Sequence, residues 1–157
     1  MLVFRILCAL LVAWAANWSL GQPEADELLR ELPELEILGP LAGAIVGAVN
    51  LSVRQGWGFI VAVANGIWAG ALAVALSGVL YMIVKMSLAL QTALVKDFDS
   101  FIRVADGEAQ PLFEHVVNVP LILITLTATA VVGVATEILH WSLVRLRRQR
   151  QRQQSEG

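Results

Sequence analysis

The sequence predicts an all-α membrane protein with four transmembrane helices, both ends in the cytoplasm and an amphipathic helix in the outer loop. Three observations lead there. Of 157 residues, 57% are hydrophobic and 15% charged, against about a quarter charged in ordinary soluble domains, and the mean hydropathy is +0.70. Four long charge-free stretches, 6–22, 37–53, 59–84 and 116–136, each approach or exceed the length that crosses a hydrocarbon core. A net charge of −2 conceals a strong asymmetry, because acids crowd residues 24–36 while Arg145, Arg147, Arg148, Arg150 and Arg152 close the chain. With their flanks the spans run about 2–22, 35–53, 59–84 and 116–144. They make one polytopic domain, 1–144, followed by a basic, Gln-rich tail, 145–157, whose composition suggests disorder and attraction to anionic lipid.

The first span carries Arg5 and Cys8. A signal peptide is its rival reading, because Ala13-Trp14-Ala15 offers a small-x-small cleavage site. The retained helix is preferred, since one arginine makes a thin basic region and the apolar stretch before Ala13 is short. One cysteine excludes an internal disulfide and a thiolate cluster made by this chain alone, so Cys8 reads as apolar filler. Asn17-Trp18-Ser19 matches a glycosylation acceptor only nominally, inside a hydrophobic run. In the acidic loop, Leu28, Leu32 and Leu35 recur at helical spacing, interrupted by Pro33.

On the second span, Pro40 predicts a kink, and Gly39, Gly43 and Gly47 form a small face. Ala62, Gly66 and Gly70 do the same on the third. Small faces let backbones approach closely, and the five-residue turn between these spans predicts that the two faces meet as an antiparallel hairpin. Asn50 and Asn65 would then bond across it. Trp68 reads as a packing residue.

Beyond the third span, Leu90, Leu94, Phe98, Phe101 or Ile102, and Ala105 form an apolar stripe opposite Lys96, Asp97, Asp99 and Arg103. It predicts an outer amphipathic helix over about 88–105 or, equally on periodicity, a water-exposed extension of the third helix, ended by Asp106-Gly107, with Pro111 restarting the chain toward the fourth span. That last span places Thr125, Thr129, Gly133 and Glu137 on one face. A carboxylate at the centre of a spanning helix costs on the order of 3 kcal/mol, so Glu137 must face protein or water, or take up a proton. One reading is a proton or cation site with His140 one turn away. The other is a boundary carboxylate tied to Arg145 or water. Glu137-Ile138-Leu139-His140 has the Glu-x-x-His spacing of di-iron bundles, but those need a second copy and two further carboxylates on other helices, so no metal is expected. His115, beside Glu114, reads as an interfacial histidine at the outer end of this span.

Orientation follows from the excess of Lys and Arg on the cytoplasmic side. With both ends inside, Arg5, Arg54 and the five tail arginines lie in, and Arg30, Lys85, Lys96 and Arg103 lie out, seven against four. Trp14 and Trp18 would mark the outer interface, and Trp57 and Trp141 the inner one. No phosphate loop, serine elbow or HExxH motif is present. The composition therefore points away from an enzyme, a cofactor or a nucleic-acid partner, and toward the bilayer, a second copy or another membrane protein.

Gly39-Pro-Leu-Ala-Gly43-Ala-Ile-Val-Gly47, then Arg54-Gln-Gly56-Trp-Gly58, then Asn65-Gly66 with Gly70, resembles the TrgA family of small bacterial membrane proteins associated with tellurite resistance. The N-terminal helix, Met82 to Met86 leading to Lys96-Asp97-Phe98-Asp99, and a last helix closing with Glu137, Trp141 and arginines extend the likeness over most of the chain. The longer acidic loop and the basic tail depart from it. The resemblance implies a non-enzymatic protein of the bacterial inner membrane, linked to tellurite tolerance through membrane transport or a partner's assembly.

Overall fold

The computed structural model describes residues 2–53, 56–92, 97–116 and 119–155, and among them the chain is helical with no strand. Helix α1 spans Leu2–Leu20, a 3₁₀ turn follows at Pro23–Ala25, and α2 covers Asp26–Glu31. Helix α3, Leu35–Val46, runs on into a π turn at Gly47–Leu51. Helix α4 is Phe59–Gln91, α5 is Phe98–Val116, and α6 is Val119–Ser155.

Three of these helices are long and apolar enough to cross a membrane: Leu2–Leu20, Phe59–Gln91 and Val119–Leu146. The second expected span is realised differently. The residues Pro23–Glu31 and Leu35–Leu51 pass the same test only as a pair, bent by 110°. Pro33 lies at the bend: it removes an amide donor and disfavours helix at the residue before it, so the acidic loop folds as its own short helix. Pro40 leaves α3 unbroken.

Small residues draw the helices together. A Cβ on Gly43 would lie 2.9 Å from the Val12 carbonyl oxygen, and one on Gly47 would lie 2.5 Å from the Cys8 carbonyl oxygen, which sets α3 antiparallel to α1. Gly66 meets the Thr129 carbonyl, Gly70 the Thr129 hydroxyl, and Gly133 the Ala62 carbonyl, setting α6 antiparallel to α4. The glycine faces of α3 and α4 therefore do not meet each other: each is used against a different helix. A helix has more than one face, and a short turn fixes adjacency without fixing which faces meet.

Helices α1, α3, α4 and α6 close around a core of Val12, Ala15, Val46, Leu51, Ala69, Ala73 and Val132. A second core sits at the α2 end, where Leu28, Leu32 and Leu35 pack on Tyr81. Large apolar side chains point outward instead, including Ile37, Ile60, Ile67 and Val131. Trp68 is among them, half exposed rather than packed inside. Small residues within and large ones without is the arrangement lipid allows and water does not. Buried hydroxyls return to their own helix, Ser19 to Ala15 and Thr136 to Gly133, so they need no water.

Three boundaries differ from expectation. Helix α4 continues through residues 85–91, so its length is about 50 Å against a hydrocarbon core of about 30 Å. The amphipathic helix expected over about 88–105 starts at Phe98 and runs through Asp106-Gly107 and Pro111 to Val116, carrying His115 with it. Neither Gly nor Pro stops it: propensity is a weak local preference, and a helix can run through a single lost bond. Leu94 of the predicted stripe, and Lys96 of the face opposite it, lie outside the described residues. Finally, α6 continues through the basic segment to Ser155, where composition alone suggests disorder; Gln and Arg are good helix formers.

Candidate functional site

Glu137 is 1% exposed on α6, and three donors converge on it. The backbone N–H of Gly56 donates to Oε2 at 2.8 Å, that of Gly58 to Oε1 at 3.1 Å, and the Trp141 indole N–H to Oε1 at 2.8 Å. Trp141 is one turn further along the same helix. Gly56 and Gly58 have φ of +91° and +97°, a region that L side chains avoid, so glycine is what lets both amides turn inward. Gly58 immediately precedes α4, and the carboxylate thus lies at the positive end of that helix. The arrangement fastens the turn between α3 and α4 to α6. Each donor is fixed in place, and none is a titratable group.

The boundary-carboxylate reading has Arg145 or water as the partner, and the donors are instead two backbone amides and an indole. Arg145 is no partner of Glu137; it lines a separate cleft with Trp141 and Phe59. His140 stands beside the turn, its Nε2 3.2 Å from where a Cβ on Gly56 would lie, and its ring meets Phe4 edge-on at 6.1 Å. Asn50 falls in the π turn and Asn65 on α4, both half-buried. Of the candidate polar residues, the structure brings Glu137 and His140 to one place, against Gly56. The Glu137 partners were concealed because a backbone amide has no signature in sequence; the pair of glycines around Trp57 was the available signal.

A second polar group lies at the opposite end of the bundle. Lys85 Nζ is 2.7 Å from Glu34 Oε1 and 5.3 Å from the centroid of the Tyr81 ring. The Tyr81 hydroxyl donates to Glu108 Oε2 at 3.2 Å. These contacts tie α4 to α5 and to the bend before α3. Glu34 Oε2 is buried without a hydrogen-bond partner. The signal for this group was Lys85 itself, a lone cation on an otherwise apolar helix that must find a partner. Next to it, a cavity of about 100 Å³ is lined mainly by apolar residues, among them Leu28, Leu35, Leu112 and Leu121. Among the described residues, no group of three or more His, Cys, Asp or Glu could hold a metal ion.

No family model, curated protein or solved structure matches this chain.

Proposed function

We propose that this chain is a non-enzymatic, four-span protein of the bacterial inner membrane with both termini in the cytoplasm, acting on membrane transport or on the assembly of a partner. The observation that carries this reading is the use made of Glu137. The one carboxylate of the apolar part of α6 is engaged by Gly56, Gly58 and Trp141, a structural task that leaves it poorly placed to relay protons. The four-span count is supported by the antiparallel packing of Leu35–Leu51 on α1, which carries that segment from one end of α1 to the other. The charge count supports the orientation. A role in tellurite tolerance, of the TrgA type, rests on the sequence resemblance alone. Its test is deletion of the gene followed by growth on tellurite; unchanged tolerance would remove it.

A structural subunit of a larger membrane complex is the second reading. Val79, Ile83 and Leu90 of α4, with Phe98 and Phe113 of α5, are exposed on the hairpin that outruns the bundle, and this surface suits a neighbouring protein. Sizing after gentle detergent extraction discriminates, because a lone monomer contradicts it.

A further inference from the structure

A cleft of about 640 Å³ opens between the first turns of α1, the end of the π turn after α3 and residues 139–144 of α6. Its walls are apolar, from Phe4, Leu139 and Leu143 among others, and Val53 closes one side. Three side chains in it are of another kind: Ser52, whose hydroxyl donates to the Ala48 carbonyl of the π turn, and Arg5 and His140. Arg5 is exposed and, among the described residues, has no ion-pair partner. A guanidinium at the edge of a hydrocarbon layer turns toward polar headgroups. The imidazole offers an N–H in either protonation state. Glu137, the acid nearest to them, has both oxygens occupied by Gly56, Gly58 and Trp141, so it does not compete for Arg5. The remaining described acids lie in residues 24–36 and 97–114, at the opposite end of the bundle.

An apolar trough between two helices that ends at two N–H-bearing side chains matches a lipid with a negative headgroup. We propose that this cleft binds one anionic phospholipid, its phosphate held by Arg5 and His140 and an acyl chain lying along Phe4, Leu139 and Leu143. A free phosphate would leave the apolar walls unfilled, and a zwitterionic lipid would bring a cation to Arg5. The site needs no particular orientation in the membrane and does not depend on the tellurite reading.

The test reconstitutes the full chain in vesicles of equal phosphatidylglycerol and phosphatidylcholine, extracts it gently and identifies retained lipid by native mass spectrometry. Wild type is expected to keep a single phosphatidylglycerol. Arg5→Gln should lower that retention about fivefold, the effect of one charge near a membrane surface, while Arg5→Lys keeps it and Arg103→Gln, at the other end of the molecule, leaves it unchanged. Equal retention of the two lipids would overturn the proposal, as would stripping of the lipid by excess inorganic phosphate. So would Arg5→Gln retaining lipid like wild type. If Arg5→Gln loses helical content, the Arg5→Lys variant decides, because loss of lipid from a folded Lys variant also contradicts the site.

Discussion

The Glu137 carboxylate accepts the Gly56 backbone N–H at 2.8 Å across 81 residues of sequence, and with the Gly58 N–H on its other oxygen this bond joins the turn after α3 to the last helix. Hydrogen bonds to a charged group are each worth more than neutral ones. Glu137→Gln keeps the shape but turns an amide NH₂ toward at least one of three donors. It should destabilise the protein by about 2 kcal/mol and free the turn, read as new trypsin cleavage at Arg54 in detergent. Unchanged cleavage would mean that the carboxylate does not hold the turn.

The glycines divide into two kinds. A Cβ on Gly66 would run into the Thr129 carbonyl and the Ala130 backbone, neither of which can move aside, so Gly66→Ala should cost about 2 kcal/mol by overpacking. Gly107 sits inside α5 with nothing within 4 Å of an added Cβ. There alanine should stabilise the helix by roughly 0.5–1 kcal/mol. Thermal unfolding in one detergent compares the two, and their order reverses if α4 and α6 do not meet at Gly66.

At the start of α5, Asp97 Oδ1 accepts the Ser100 backbone N–H at 2.7 Å, and the Asp97 N–H donates to the Ser100 hydroxyl at 3.1 Å. The Ser100 backbone N–H, and then its side chain, hold the Asp97 carboxyl below its ordinary range. A carboxylate with a lowered folded pKa contributes stability above its unfolded pKa and loses it as the pH falls through the folded value. Amide protection in the first turn of α5, measured relative to the intrinsic exchange rate at each pH, should therefore fall in acid, and Asp97→Asn should flatten that dependence. Identical pH profiles for the two proteins would contradict the cap.

Much of this was written in the sequence. Hydropathy marks α1, α4 and α6 because twenty apolar residues in a row have few other uses, and the leucines of residues 28–35, marked in the sequence only by their helical spacing, pack in a core with Tyr81. Glu137 stands out for the same reason, as a charge where charge is costly. What could not be read is pairing. Gly43 and Gly66 announce close approach but not to whom, and they meet Val12 and Thr129 rather than each other. Likewise Lys85 needs a partner, yet nothing along the chain selects Glu34 from the six acids of residues 24–36. The ends of helices were least legible, since α5 runs on through Gly107 and Pro111 where local preference would stop it.

Substituted-cysteine labelling with a membrane-impermeant reagent tests the four-span account most directly. Native Cys8 is buried, and Glu27, Trp57, Gln110 and Gln149 are all exposed, so single cysteines at those four positions can be compared in intact cells. Glu27→Cys and Gln110→Cys should react from outside, and Trp57→Cys and Gln149→Cys only after the membrane is opened. Labelling of Trp57→Cys from the same side as Glu27→Cys would contradict the account, because the segment Leu35–Leu51 would then turn back without crossing.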